Sequence, residues 1–531
     1  MSRPRDLYSV LSTKATPQTQ PTSPTQIKNA AGGYVWAVGP TAQVHRFLTI
    51  GTAGSTYYAS ERQLTADTGA VVLDAARANA TALVDQILAV SLPGRAPRNG
   101  PAVFALAAAS VLGDDAGRKA ALAAVPAVCR TATDLFAFAE YRQLFGGWGR
   151  GARRAVAGWY LERSPESLAY QLLKYRQRNG WTHRDVLRLA HPKTTETDRA
   201  ALFEWATKDL ALPELPDFVR AFAQVNRPGV TLPAVRTFIS THPASWEMIP
   251  SAYLNDPTVW RTLLAYGRVP IGALIRQLPR LTRLGVLDQF NAETSDVVAR
   301  LTDVEELRRG RIHPVNLLVA LRTYAAGKSL KGSSTWTPVQ KIVDALDAAF
   351  YLAFATIIPA GKRTLVAVDV SSSMDWDAAG LPVTAREVAA AMAMVTVATE
   401  PDAGVVGFAT QLVEVPISAR MRLDQVCEVM RRLPFGGTDC AAPMRWAERN
   451  RYAFDTFVMI TDNETWAGGY HVHQALALYR ATSGIPARMA VMGVTATNCT
   501  VGDPDDPGTL NVAGFDSAAP ALIADFSRGD L

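Results

Sequence analysis

Leu365-Val-Ala-Val-Asp-Val-Ser-Ser-Ser373 is the stretch from which the architecture of this chain can be read outward. A short β-branched, apolar run ends in an acid, and two hydroxyls then alternate, so a buried strand runs into a polar loop at its carboxyl end. Similar runs follow at Val405–Thr410, Thr456–Thr461 and Arg488–Val494. Helical spacing separates them at Thr384–Thr399, Leu423–Arg432, Ala441–Asn450 and Val472–Thr482. This βαβα succession predicts a C-terminal α/β domain built on a doubly wound parallel sheet, over residues 362–531.

Ligands of such sheets collect at the carboxyl ends of the strands. Asp369, Ser371 and Ser373 stand at one such end, and Asp462 closes Phe457-Val-Met-Ile-Thr-Asp462 at another. Between them Phe435-Gly-Gly-Thr-Asp439 presents Thr438 on a glycine-rich loop. Asp439 reads as a helix N-cap, with an acceptor role behind the ligands as the alternative. The donors are hard oxygens, mostly neutral hydroxyls, which suits one divalent cation, Mg²⁺ first, with Mn²⁺ or Ca²⁺ as alternatives. Only two carboxylates face the +2 charge, so an acidic sixth ligand from a partner is electrostatically welcome. The set resembles the metal-ion-dependent adhesion site of von Willebrand factor A-type (vWA) domains, in which the metal binds a partner's carboxylate.

Upstream the texture changes near Thr335. Trp336–Phe354 reads as one amphipathic helix, followed by a break at Pro359–Gly361. From residue 26 to 361 apolar residues recur at helical spacing, for example over Ala75–Val90, Pro101–Leu112, Asp134–Phe145, Ala152–Arg163 and Ser167–Arg176. Strand-like alternation is nearly absent there, so the segment is predicted to be an all-α stack of helix pairs. The first 25 residues are rich in Thr, Ser, Pro and Gln and read as a disordered tail. The glycine-rich Gly51–Ser55 and Gly146–Gly151 follow no strand and read as turns or tight helix contacts.

Of 531 residues, 48% are hydrophobic and 19% charged, the balance of a packed globular protein. No apolar run reaches the roughly 20 residues that span a bilayer, and there is no secretory signal, so a soluble cytoplasmic protein is expected. The four cysteines lie far apart, without metal-ligand spacing, and read as buried thiols. The net charge of +6 hides an asymmetry: 12 basic and 20 acidic residues from Arg363 onward leave that part at −8 and the first 362 residues at +14. A polyanion should therefore meet the helical part.

The richest basic stretch is Tyr141–Ala200, with 12 basic and 5 acidic residues. At its centre Lys174 and Arg178 are four apart, which would put them on one helix face, with Arg176 between them. Asn179–Gly180 breaks the helix, Thr182 caps the next with Asp185 at its third position, and Arg184, Arg188 and His191 form a second row. Two basic rows meeting at a turn make a phosphate track; a solvated helix face is the plainer alternative. Tyr175 and Trp181 read as core, and His183 as a structural histidine. The sequence carries no GxSxG, HExxH or Walker loop and no clustered carboxylates in the helical part, so it reads as a binding protein and not an enzyme.

The helical part resembles the Ro autoantigen family, ring-shaped RNA-binding proteins in which a TROVE domain precedes an A-type domain. The resemblance rests on Gly32-Gly-Tyr-Val-Trp36, Arg46-Phe-Leu-Thr-Ile-Gly51, Gly54-Ser-Thr-Tyr-Tyr58, Trp148-Gly-Arg150, Lys174–His191, Ala273-Leu-Ile-Arg276, Arg311-Ile-His-Pro314 and Ala345–Tyr351. It implies a monomeric closed ring of HEAT-like helical repeats, fastened by the A-type domain. Small noncoding Y-type RNA would lie on the basic outer surface, and single-stranded 3′ ends of misfolded RNA would enter a central hole. Lys174, Arg178 and His191 match the family's RNA contacts, and Arg150 and Arg154 lie in a matching segment. Bacterial members are associated with a 3′-exoribonuclease in RNA maturation or decay under stress. A second class stays open, a metal-dependent protein-interaction scaffold with RNA incidental.

Overall fold

The computed structural model describes residues 15–51, 69–329, 332–354, 357–375, 383–418, 420–433, 436–494, 499–514 and 516–530. Of the stretches singled out above, residues 1–14, 52–58 and Phe435 lie outside the described residues.

The helical part opens with an antiparallel hairpin, β1 (Gln26–Lys28) and β2 (Tyr34–Ala37). Then come α1 (Pro40–Ile50), α2 (Ala70–Ser91), α3 (Gly100–Leu112), α4 (Asp115–Val128), α5 (Ala132–Phe145), α6 (Arg150–Leu161) and α7 (Pro165–Lys174). A second hairpin, β3 (Gln177–Arg178) and β4 (Trp181–Thr182), leads into α8 (His183–Ala190) and α9 (Thr197–Lys208). The array continues through α10 (Asp217–Val225), α11 (Leu232–Thr241), α12 (Pro257–Ala265), α13 (Ile271–Arg283), α14 (Ala292–Leu301), α15 (Val304–Arg309), α16 (Pro314–Ala325) and α17 (Gln340–Leu352). Helix α17 starts later than Trp336 because Pro338 pushes the residue before it, Thr337, out of the helical conformation.

The helix starts are written in capping residues: Asp114, Ser164, Thr231 and Asn291 each accept an N–H of the first turn, and Thr131 with Asp134 forms a capping box on α5. Each helix packs on its near neighbours, α2 on α3 and α4, α4 on α6, α6 on α8, and onward to α16 on α17. At α2–α4 the approach is close enough to require glycine, since a Cβ on Gly117 would lie 2.2 Å from that of Ala80. The array then returns to its start. Arg311 Nε donates to the Leu92 carbonyl at 2.8 Å and Asn316 Nδ2 to that of Pro97 at 3.2 Å, each bond joining residues 219 apart. The helices therefore close a ring.

In the C-terminal domain β5 (Thr364–Asp369) is central. It is followed by α18 (Ala385–Thr399), β6 (Ala403–Phe408), β7 (Leu412–Glu414), α19 (Leu423–Arg431), α20 (Ala442–Arg449), β8 (Thr456–Thr461), α21 (Val472–Ser483), β9 (Arg488–Gly493), β10 (Cys499–Thr500), β11 (Thr509–Ala513) and α22 (Ala519–Arg528). The sheet order is β11-β9-β8-β5-β6-β7, parallel except for the edge strand β7. The strand order reverses direction between β5 and β8, the switch point at which open α/β sheets bind ligands. Side chains alternate between the two faces. Val366, Val368, Val458 and Ile460 join the core that runs on through the ring, whereas Leu365, Ala367, Phe457 and Met459 form a second core with α20, α21 and Val35 of β2.

One expectation fails here. Residues 15–25, read as disordered, pack on the C-terminal domain, with Gln18 only 1% exposed. The helical part also contains strands: β2 pairs with β10 across the domain boundary, Cys499 opposite Ala37. A segment poor in apolar residues is ordered here by hydrogen bonds to a distant part of the chain. Among the described residues no helix is long and apolar enough to cross a membrane.

Candidate metal centre and basic face

Asp369 ends β5 and Asp462 follows β8, its parallel neighbour, with Val368 opposite Ile460. The Asp369 carboxylate is fully buried; one oxygen accepts the Ser371 N–H at 2.9 Å and the other the Thr461 hydroxyl at 2.7 Å. The first bond tightens the loop after β5, and the second ties the ends of β5 and β8 together. The Ser371 and Ser373 hydroxyl oxygens are 3.0 Å apart, so the alternation seen in the sequence does bring them to one side. Thr438 is 3% exposed, and its carbonyl accepts the N–H groups of Trp466 and Ala467, both at 3.0 Å. The third loop is thereby fixed to the second. Asp439 accepts the Ala441 N–H at 3.0 Å in the turn before α20.

Burial, and then the negative charge of Asp462, push Asp369 up to about 7. A desolvated acid held beside a second carboxylate makes a cradle for a cation. Among the described residues no cluster of three or more His, Cys, Asp or Glu gathers, so a cation here would depend on hydroxyls and water as well as the two carboxylates. That donor set fits a hydrated hard ion such as Mg²⁺.

Sequence reasoning missed the strap that holds these loops from outside. The Gln18 amide donates to Asp439 at 2.8 Å and to the Tyr470 carbonyl at 2.9 Å, and its oxygen accepts from the Thr465 hydroxyl. Asn29 Nδ2 donates to the Thr465 carbonyl at 2.8 Å, and the Ala31 N–H meets the Glu464 carboxylate at 3.0 Å. His471 Nε2 and the Gln20 carbonyl are 2.7 Å apart, and Trp36 meets the His473 ring edge-on at 5.6 Å. No local signal announces these contacts, because each joins residues more than four hundred positions apart.

On the basic face, Lys174 and Arg178 do not share a helix face as the spacing suggested. Helix α7 stops at Lys174, and Asn179 and Gly180, with φ of 51° and 78°, make the two-residue turn of the β3–β4 hairpin. Positive φ at both turn residues matches the right-handed twist of a hairpin, which is the preference of Asn-Gly. Lys174 turns inward, its side chain 7% exposed; the ammonium is 3.2 Å from the Tyr170 hydroxyl, 3.9 Å from Glu247 and 5.2 Å from two tyrosine rings. Arg176, Arg178, Arg184 and Arg188 are exposed, as are Arg150 and Arg154 four residues apart on α6, which packs on α8. Thr182 and Asp185 form the capping box of α8, and exposed His191 ends that helix in the left-handed conformation, φ 48°. His183 is buried against the Tyr160 hydroxyl at 2.9 Å, and burial pushes it down to about 4.

Comparison with known proteins covers the same ground. The TROVE domain family model matches residues 27–228 and 236–323, and the Ro60 vWA domain model matches 363–527. The RNA-binding protein RO60 of Caenorhabditis elegans is 34% identical over 585 residues, covering 95% of this chain and 90% of that protein. The protein of the same name from Deinococcus radiodurans is 38% identical over 522 residues, covering 97% and 98%. The crystal structure of the Deinococcus radiodurans RO (RSR) protein superposes with a TM-score of 0.73 at 37% identity, covering 93% of this chain and all of that one.

Proposed function

The chain belongs to the Ro60 family, a TROVE ring followed by a Ro60-type vWA domain, and on that premise we propose that it is a non-catalytic RNA-binding scaffold. The observation that carries this reading is the set of exposed arginines around the β3–β4 hairpin, Arg176, Arg178, Arg184 and Arg188, with exposed His191 beside them, in a chain whose relatives are named RNA-binding proteins. Guanidinium groups on a fixed hairpin and the helix after it can hold phosphates at set spacing without reading sequence.

In this reading the protein works as a cytoplasmic monomer in noncoding RNA quality control. A Y-type small RNA lies along the basic outer surface, with Arg150 and Arg154 extending the track onto α6. Single-stranded 3′ ends of misfolded RNA enter the ring, and a 3′-exoribonuclease acts on them during maturation or decay under stress. Asp369, Ser371, Ser373, Thr438 and Asp462 hold one Mg²⁺, which supplies a docking point for an acidic group of a protein partner. The cation loops lie in the acidic domain, which favours a protein over the main RNA as their ligand.

Crosslinking the protein to RNA in cells and sequencing what is bound tests the reading. Enrichment of structured small RNA together with RNA 3′ ends supports it; recovery no greater than from a control protein would overturn it.

A further inference from the structure

Within the basic face a cleft of about 430 Å³ opens between α7, the start of α8 and the end of α9. Leu172, Arg176, Thr182, Arg184, Trp205 and Asp209 line it. Its walls differ in kind from the phosphate track. Trp205 offers an indole, held by an edge-on contact with Phe222 at 6.5 Å and 88°. The Arg176 guanidinium lies 6.0 Å from the same Phe222 ring. Arg184 is fixed through Nε, which donates to the Thr207 carbonyl at 2.9 Å. Asp209 ends α9 in the left-handed conformation, φ 60°, with its N–H bonded to the Trp205 carbonyl at 2.9 Å, so its backbone is set by the helix end.

A phosphate alone does not fit these walls, because Asp209 repels it. A simple cation does not fit either, because two guanidinium groups repel it. The complementary ligand has flat faces for the indole, acceptors for the arginines and donors for the carboxylate. A nucleobase has all three, and bases freed from pairing are bound by stacking on aromatic and guanidinium planes. Among the four bases guanine alone presents an acceptor pair, O6 and N7, beside a donor pair, N1–H and the N2 amino group. Arginine is the usual partner of the first edge, and a carboxylate can accept from both groups of the second.

We propose that this cleft takes one unpaired guanine of a bound RNA, stacked by Trp205, with its acceptor edge on Arg176 and Arg184 and its donor edge on Asp209. The proposal rests on the RNA-binding reading and adds base selectivity to it. The neighbouring exposed arginines take the flanking phosphates.

Fluorescence anisotropy with the 5′-labelled pentanucleotides UUGUU, UUAUU and UUIUU tests this on the full-length protein. The guanine oligonucleotide should bind about tenfold tighter than the adenine one, the discrimination typical of a good bidentate base contact. Inosine, which lacks the N2 amino group, should fall between. Asp209→Asn keeps a residue suited to the left-handed cap and should bring guanine and inosine within twofold of each other, because the carboxylate is the group assigned to the N2 amino. Equal binding of the three by the unaltered protein, or a guanine-over-inosine preference that survives Asp209→Asn, overturns the cleft assignment alone. Failure to bind any of the three at low salt overturns the RNA-binding reading and the cleft with it.

Discussion

Arg95, in the loop between the first two long helices of the ring, grips Asp516 just ahead of α22 with both ends of its guanidinium: Nε to Oδ1 is 3.1 Å and Nη2 to Oδ2 is 2.5 Å. Asp516 is fully buried, Arg95 is 18% exposed, and His45 Nε2 stands 3.0 Å from the same carboxylate. Ser517 adds a backbone bond to the Arg95 carbonyl at 3.0 Å. One carboxylate thus ties the start of the ring to the end of the C-terminal domain.

Arg95→Met should therefore destabilise the junction by about 3–5 kcal/mol, because it strips a buried carboxylate of its bidentate guanidinium partner and leaves it the His45 ring. Arg95→Met combined with Asp516→Leu should recover part of the loss. Urea denaturation and limited proteolysis between the domains measure both; a single variant as stable as the unaltered protein would show that the pair is energetically idle.

Acid should loosen the protein in two stages. Burial pushes His183 and His473 down to about 4, so between the unfolded value near 6.5 and about 4 the unfolded chain takes up protons that the folded one refuses, and stability is lost as pH falls through that window. Burial would raise Asp516, but hydrogen bonds from His45 and Arg95 and the Arg95 charge outweigh it, so its carboxyl sits below the ordinary value. Its contribution is present above about 3.9 and goes as pH falls through the lowered folded value. His183→Gln should reduce the slope of stability between pH 6.5 and 4 by up to about 1.4 kcal/mol per pH unit, read from unfolding midpoints in a buffer series.

Mg²⁺ should raise the melting temperature of the unaltered protein progressively with concentration, as mass action requires of a ligand that binds only the folded state. Asp369→Asn and Asp462→Asn should each abolish the rise while leaving RNA affinity within twofold. A melting temperature indifferent to Mg²⁺, Mn²⁺ and Ca²⁺ alike would rule out the cation site.

Gln18→Ala should weaken the same response from a distance. The amide bridges Asp439, Thr465 and Tyr470, and its loss leaves buried polar groups unmet at about 1–3 kcal/mol. A lower melting point together with a smaller Mg²⁺ shift is expected in differential scanning fluorimetry; an unchanged shift would uncouple the strap from the cation loops.

Lys174 and Arg178 should behave differently although the resemblance drawn from the sequence assigns both to RNA. Arg178→Ala, on the exposed hairpin, should reduce the slope of log K against log salt by roughly 0.7 for each phosphate that is no longer neutralised. Lys174→Ala should lower the melting temperature and leave the slope nearly unchanged, since its ammonium is spent on Tyr170, Tyr175 and Glu247. Filter binding across a salt series separates the two; a slope change confined to Lys174→Ala would reverse the assignment.

These contrasts show what a sequence carries and what it does not. The central strands of the C-terminal domain were legible because buried parallel strands are continuous apolar runs, and Asp369 and Asp462 because an acid at a strand end stands out from such a run. Thr182 with Asp185 was legible because a capping box is complete within four residues. Lys174 was misplaced because its direction depends on Glu247, which only the folded array brings near. The strap and β10 escaped notice for a related reason. Strands of two to four residues are too short for alternation to register, and their partners lie at the other end of the chain.

The pairing of β2 with β10 also sets a timetable. The hairpin at Gln26–Ala37 leaves the ribosome about 460 residues ahead of Cys499–Thr500. At about 5–20 residues per second, the free edge of β2 waits roughly half a minute to a minute and a half for its partner. Throughout that interval it is an open template for any other nascent strand. The contact that completes the finished molecule makes the half-made one dependent on being shielded, so the yield of this protein in a cell should follow the supply of factors that cover nascent chains.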